Sequence, residues 1–324
     1  EIAQCLVGSE MCIRDRPDIV HLNNIHSYLS PIVAKLAHAR EIKVIWTIHD
    51  YKLVCPSYAC LYKGRPCEVC FVNKFKVISR KCMKNSLTAS TLAWGEAIYW
   101  SKKKLSLWTD AFICPSNFMM QKMIQGGYPE NKLHTISNFI SDEKSEFISK
   151  ISTVEKEMAY AYIGRLSVEK GVEDLLKVAV QLPYKLYIAG RGPLENVFKK
   201  KYASDNIIFL GHISAKEIVI LLKKVQFSII PSICYENNPL GVIESLCCGT
   251  PVLGRNIGGI PELLKTNICN ILFNDNNDLE SSIAKMFTLN SEIERKELST
   301  VAHNYFSAEQ YYQKWLGIVQ GISS

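Results

Sequence analysis

Residues 230–262, IPSICYENNPLGVIESLCCGTPVLGRNIGGIPE, carry the clearest local punctuation in the chain. An apolar run ends near Ser232 and predicts a strand. A short loop carrying Glu236 comes next, then a helix with Asn238 as N-cap, Pro239 as its first residue, Gly249 as its stop and Pro251 just beyond. The reading is strand, loop, helix. Glu236 precedes the helix N-terminus, and Glu244 falls in the second turn beside Leu240, Ile243 and Cys247, on the side expected to pack. A carboxylate in such surroundings is costly to bury unless something donates hydrogen bonds to it. The hydroxyls of a sugar or a ribose do so, and the open N–H groups at a helix start suit a ligand's negative charge. From the residues alone, a partly exposed helix with two solvated glutamates fits as well.

The setting PSxxxExxPxxxxExxxxGTPV, followed by GGxPE, resembles the donor-site signature of family 4 glycosyltransferases, retaining enzymes of the GT-B fold. The resemblance runs from about Pro17 to the end of the chain, with several separate motifs in order. It implies that Glu236 contacts the donor sugar and that Glu244 holds the ribose hydroxyls of the nucleotide. Asn238 and Leu240 belong to the same implied site.

The chain has 324 residues, 48% of them hydrophobic, enough for two domains with cores of their own. No run approaches the roughly 18 to 20 apolar residues of a membrane-spanning helix, and no signal peptide is recognisable, so a cytoplasmic protein is expected. The net charge of +7 is uneven. Residues 17–150 carry 18 Lys and Arg against 10 Asp and Glu, whereas residues 151–324 carry 18 of each. Lys102, Lys103 and Lys104 lie beside Trp100, Leu105 and Trp108. Basic residues among aromatics suit an anionic membrane surface or an anionic acceptor, and a solvated basic face is equally compatible. No motif points to nucleic acid.

Residues 1–16, EIAQCLVGSEMCIRDR, do not share the strand and helix patterning of the rest of the chain. SEMCIRDR resembles translated sequencing-adapter read-through, which makes this stretch a non-native leader and Pro17 an internal position of the natural protein; a genuine irregular leader is the alternative. From Pro17 onward, PDIVHLNN, SPIVAKLAHAR and KVIWTIHD read as strand, helix, strand, a βαβ unit of a parallel sheet. Ligand crevices of such sheets lie beyond the carboxyl ends of the strands, where His21 and His49 stand. In the resembled family a "THDY" type sequence sets its His against the donor sugar, so His49 is the candidate. The family's earlier strands and Gly-rich loop are absent here, so an incomplete first domain is expected.

Cys55, Cys60, Cys67, Cys70 and Cys82 fall within 28 residues. CxxC spacing at Cys67 and Cys70, with Cys55 and Cys82 to complete a tetrahedron, suggests a structural zinc that would supply folding energy to a polar loop. Reduced thiols without metal and disulfides are the alternatives. Residues 86–107 predict a helix, DAFICPSNFMMQKMIQGG a strand, turn and helix capped by Ser116, and KLHTISNFI the last strand of the first domain. The polar stretch 141–157 reads as an interdomain linker.

In MAYAYIGRLSVEKGVEDLL, Gly164 and Arg165 open a loop and Lys170–Gly171 begins an amphipathic helix. Two cations beside free N–H groups make a diphosphate cradle. The element matches the family's "GRL…KG", whose Arg and Lys bind the donor diphosphate. In KLYIAGRGPLE, Gly190-Arg191-Gly192 lacks the third glycine of a dinucleotide fingerprint and is not read as one. By resemblance, Gly190 and the backbone from Gly211 to Ile213 also face the donor.

The sequence therefore predicts two Rossmann-like domains facing a cleft: residues 17–150, the incomplete acceptor side; 151–305, the nucleotide-sugar side; and 306–324, a helix returning to the first. The resemblance implies retaining transfer of a hexose from a UDP- or GDP-sugar to a glycan or lipid-linked acceptor in bacterial surface polysaccharide synthesis. His49, Arg165, Lys170 and Glu236 would act without a catalytic metal. A nucleotide-sugar epimerase on the same fold, or a zinc-stabilised binding module, are the alternatives.

Overall fold

The computed structural model describes residues 17–26, 29–151, 154–265, 269–289 and 292–323. The leader assigned to residues 1–16 lies outside them. The chain forms two compact units: one holds residues up to Tyr62, Cys67–Ser137 and Gln313 onward, and the other holds Lys63–Pro66 and Asn138–Tyr312.

The first unit is built on a four-stranded parallel sheet, β1 (Ile19–Asn23), β2 (Lys43–Thr47), β3 (Ala111–Cys114) and β4 (Leu133–Thr135), in that spatial order. Strands β2 and β3 read VIW and AFI and are buried almost throughout, as strands covered on both faces must be. Helix α1 (Ile32–His38) connects β1 to β2. The helix expected over residues 86–107 is two: α2 (Leu87–Tyr99), capped by Ser86, and α3 (Lys102–Trp108). Trp100 leaves the helical conformation and packs edge-on against Tyr99 and Trp108, which breaks the run. Helix α4 (Asn117–Gln125) starts where Ser116 accepts the Met119 N–H at 3.1 Å.

The second unit opens with α5 (Asp142–Lys150), capped by Ser141. This helix replaces the linker expected over 141–157: Ile148 is buried in the core of the unit, which gives a mostly polar segment a reason to fold. Its sheet contains β5 (Ala159–Ile163), β6 (Lys185–Ala189), β7 (Ile207–Gly211), β8 (Phe227–Ile230), β9 (Val252–Arg255) and β10 (Ile271–Phe273). The order in space is β10-β9-β8-β5-β6-β7, all parallel, so the winding reverses between β5 and β8. Tyr160 and Tyr162 of β5 face one core layer with Leu175, Leu176 and Ile283, while Ala159 and Ala161 face the other with Leu221 and Val225. That is the period-two alternation of a strand sandwiched between helices.

The helices obey the 3.6-residue period. In α6 (Val172–Ala179) the buried residues are Val172, Leu175, Leu176 and Ala179. Helices α7 (Glu195–Tyr202), α8 (Ala215–Lys224), α9 (Leu240–Cys247), α10 (Ile260–Leu264), α11 (Asn276–Thr288), α12 (Glu292–Tyr305) and α13 (Ala308–Ser323) complete the chain. Ser214 and Glu217 form a capping box at the start of α8.

Candidate functional site

Because β5 and β8 pair at the reversal of the sheet, the loops beyond their carboxyl ends lie side by side, at the switch point where open α/β sheets bind ligands. These are the two loops carrying GRLSVEKG and PSICYENNP. Lys170 ends a short 3-10 turn, Val168–Lys170, and its Nζ lies 2.7 Å from Glu236 Oε1. Ser232 Oγ donates to the same carboxylate oxygen at 2.5 Å. The Glu236 side chain is only 13% exposed, so these donors offset its desolvation. Burial works against the charge on Lys170, but the Glu236 carboxylate outweighs it and raises the lysine pKa.

The backbone of Glu236 is held as firmly as its side chain. Gly259 N–H donates to the Glu236 carbonyl at 2.7 Å. A Cβ on Gly258, whose φ is +62°, would lie 2.3 Å from that same carbonyl oxygen. The GGxPE turn thus closes on the loop from behind, and glycine allows the approach.

Gly164, Gly190 and Gly211 stand at the carboxyl ends of β5, β6 and β7. Gly164 N–H donates to Ala189 at 3.0 Å and Gly190 N–H to Gly211 at 2.7 Å, which makes a continuous backbone floor beside the Lys170 loop. Arg165 lies on that loop; Tyr162 Oη donates to its carbonyl at 2.8 Å, and its exposed guanidinium has no hydrogen bond or ion pair among the described residues. A free cation and a paired one flank the same strand end.

Two details at α9 differ from the sequence reading. The helix starts at Leu240 with Pro239, not Asn238, at the cap position; the extended ψ of Pro239 ends the loop one residue later. Asn238 is buried, and its Oδ1 and carbonyl accept hydrogen bonds from Asn138 N–H at 3.1 Å and Nδ2 at 2.8 Å. Leu240 is 49% exposed, whereas Ile243 and Cys247 are buried, so the packed side begins one turn later. Glu244, 18% exposed, is paired with Lys144 of α5. Sequence reasoning missed Ser232, Asn138 and Lys144. Ser232 was legible within the PSxxxE spacing, while nothing local marks the other two.

His49 belongs to the first unit. There the carboxyl ends of β1 and β2 line a small pocket with Asn24, His26, Trp46, Thr47, His49 and Asp50. His49 Nε2 is 2.8 Å from Asn23 Oδ1, and His21 Nε2 is 2.8 Å from Thr47 Oγ1. Burial lowers the pKa of all three histidines, that of His21 to about 4 with help from His49, so they are neutral at pH 7. Among the described residues, the buried His26 Nδ1 has no hydrogen-bond partner.

The expected zinc set of Cys55, Cys67, Cys70 and Cys82 is not assembled. Among the described residues no three or more Cys, His, Asp or Glu side chains converge as a metal-binding group. The thiols are free; the Cys55 sulfur lies 3.2 Å from Ser57 Oγ, and the Cys67 sulfur takes Arg80 Nη1 at 3.1 Å. The loop also has a core of its own, with Tyr51, Val54, Cys60, Cys70 and Val77 buried, which removes the energetic argument for a metal.

Residues 143–304 match the family of glycosyl transferases group 1, and residues 8–144 match Glycosyltransferase Family 4. The chain belongs to the group 1 glycosyltransferases. An uncharacterised 42.6 kDa protein in the cps region of Klebsiella pneumoniae is 29% identical to this glycosyltransferase over 270 residues, 82% of this chain and 64% of that protein. An uncharacterised glycosyltransferase of Methanocaldococcus jannaschii is 29% identical over 158 residues, 43% of this chain and 40% of that protein. The chain thus spans less than two thirds of the length of these curated relatives.

Among solved structures, Anabaena HepE in complex with UDP is similar with a TM-score of 0.68 at 15% identity, over 97% of this chain and 82% of that one. A glycosyltransferase from Rickettsia africae is similar with a TM-score of 0.68 at 18% identity, over 98% and 79%. At such identities the likeness speaks for fold alone, and the fold of the glycosyltransferase is GT-B, with two Rossmann-like units.

Proposed function

We propose that this glycosyltransferase moves a hexose, with retention of anomeric configuration, from a nucleoside diphosphate sugar to a glycan or lipid-linked acceptor in bacterial surface polysaccharide synthesis. The observation that carries the reading is the Lys170–Glu236–Ser232 cluster at the switch point, beside the unpaired Arg165 guanidinium. HepE structures with UDP, glucose and UDP-glucose, and the cps-region relatives, support the donor class and the setting.

In this reading Arg165 and Lys170 neutralise the diphosphate, the backbone at Gly164, Gly190 and Gly211 approaches the nucleotide, and Glu244 accepts from the ribose. Glu236 orients the sugar, and His49 is assigned to it on family resemblance. The anomeric C–O bond to the diphosphate breaks, and the acceptor oxygen bonds to the same face of the sugar. The acceptor's proton leaves with a phosphate oxygen. Stabilising the departing diphosphate then carries most of the rate, and the two cations perform that work.

Calorimetric titration of the purified chain with UDP and GDP in parallel tests the donor assignment. One nucleotide is expected to bind, and Glu244→Ala to weaken it at least tenfold, since a charged hydrogen-bond acceptor is worth about 1.5–3 kcal/mol. Absence of binding to a folded second unit would sink the assignment.

The reading extends to a peripheral position on the cytoplasmic membrane face. No helix among the described residues is long and apolar enough to cross a membrane. Residues 69–108 carry eight Lys and Arg against one Glu. In the same stretch Val72 is 95%, Leu92 75% and Leu107 62% exposed. Cations around exposed apolar side chains suit an anionic lipid surface. Sedimentation with vesicles is expected when they contain anionic lipid and to fade at high salt; equal behaviour with zwitterionic vesicles would remove the membrane from the proposal.

A further inference from the structure

Segment 138–150, polar and unremarkable in sequence, holds both ends of the donor motif in α9. Asn138 clamps Asn238 just before the helix, and Lys144 pairs with Glu244 in its second turn. Helix α5 is itself immobilised. Ser141 caps it, Ser145 Oγ lies 2.8 Å from His303 Nδ1 of α12, and Ile148 sits in the core. Lys223 Nζ grips the carbonyls of Ile148 at 2.7 Å and Ile151 at 2.5 Å, at the helix C-terminus. The Lys144 ammonium therefore reaches Glu244 from a fixed base.

We infer that Lys144 is a positioning residue for nucleotide recognition, holding the Glu244 carboxylate in the one orientation that accepts hydrogen bonds from a ribose diol. The inference rests on the assignment of Glu244 to the ribose. Lys144 contacts Oε1. A carboxylate has about four lone-pair positions, so Oε2 and the remaining positions stay open to two hydroxyl donors. A glutamate without this partner samples several rotamers and must be ordered by the ligand itself, at a cost in affinity. Because the effect passes through Glu244, it concerns nucleotides that carry the ribose hydroxyls and leaves others untouched.

The full chain is titrated with UDP and GDP and with the 2′,3′-dideoxy form of each, as wild type, Lys144→Met, Lys144→Arg and Glu244→Gln. Lys144→Met is expected to weaken the preferred ribonucleotide about tenfold, to leave the dideoxynucleotide unchanged, and to be largely rescued in Lys144→Arg. Equal weakening of both nucleotides, which a general loss of structure produces, overturns the inference. So does tighter ribonucleotide binding, which makes Lys144 a competitor of the ribose. If Glu244→Gln loses discrimination between the two sugars while Lys144→Met keeps it, only the role of Lys144 falls. If Glu244→Gln discriminates as wild type does, the ribose assignment falls and takes this inference with it.

Discussion

Lys170→Ala is expected to lower kcat/KM about 10²–10³-fold, the loss of about 2.7–4 kcal/mol that accompanies removal of one preorganised group stabilising developing charge. Two effects add. The departing diphosphate loses a cation held at the switch point of the sheet, and Glu236, 13% exposed, keeps Ser232 as its donor but loses its ammonium partner. A buried carboxylate stripped of its cation reorients toward whatever else can donate, so the sugar contact is disturbed together with the leaving group. The loss should fall mainly on kcat, because the charge on the diphosphate grows as the glycosidic bond breaks. Nucleotide release from UDP- and GDP-sugars, recorded at varied donor concentration, measures it. A change below tenfold would mean that Lys170 does not stabilise the leaving group.

Gly190→Ala is expected to destabilise the second unit by about 2–6 kcal/mol, from backbone strain of about 1–3 kcal/mol and overpacking of similar size. Gly190 has a φ of +133°, and a Cβ there would lie 2.0 Å from the carbonyl oxygen of Gly164 and 2.9 Å from its carbonyl carbon. Both obstacles are backbone in the adjacent strand end, so no side-chain rotation relieves them. Relief requires parting the ends of β5 and β6, where Gly164 N–H now donates to Ala189. That movement also disturbs the floor beside Arg165, and nucleotide affinity should fall with stability. Thermal unfolding monitored by circular dichroism gives the first effect, at about 2–4 °C per kcal/mol for a unit of this size. A midpoint within one degree of wild type would show that the strand ends yield at little cost.

The residues that make these predictions possible are legible in the sequence to different degrees. The glutamates, Arg165, Lys170 and the glycines belong to motifs of fixed spacing, and the strands and caps around them obey two short-range rules: side chains alternate every second residue in a strand and recur every 3.6 in a helix. Ser116 and Gly249 show the same locality, since a cap depends on the next few backbone groups. The cap expected at Asn238 is displaced for a local reason too, because it shifts by one residue to Pro239. The cysteines differ in kind: CxxC spacing names donors but not the directions of their side chains, and the Cys67 sulfur faces an arginine. The segment 141–157 resembles a linker because its apolar residues are few, yet Ile148 suffices to bury one face of a helix.

By itself, then, the sequence determined the α/β class and most of the order of strands and helices, and it marked the residues proposed for the site, because each is encoded in windows of a few to some thirty residues. Only the tertiary structure decided which of them meet. Lys170 and Glu236 are 66 positions apart, and Lys144 and Glu244 are 100 apart. Their contacts arise from the reversal of strand order between β5 and β8 and from the core cluster that Ile148 of α5 shares with Val242, Ile243 and Leu246 of α9, arrangements that no local pattern records. They are set by which apolar faces can be buried together, a property of the whole core.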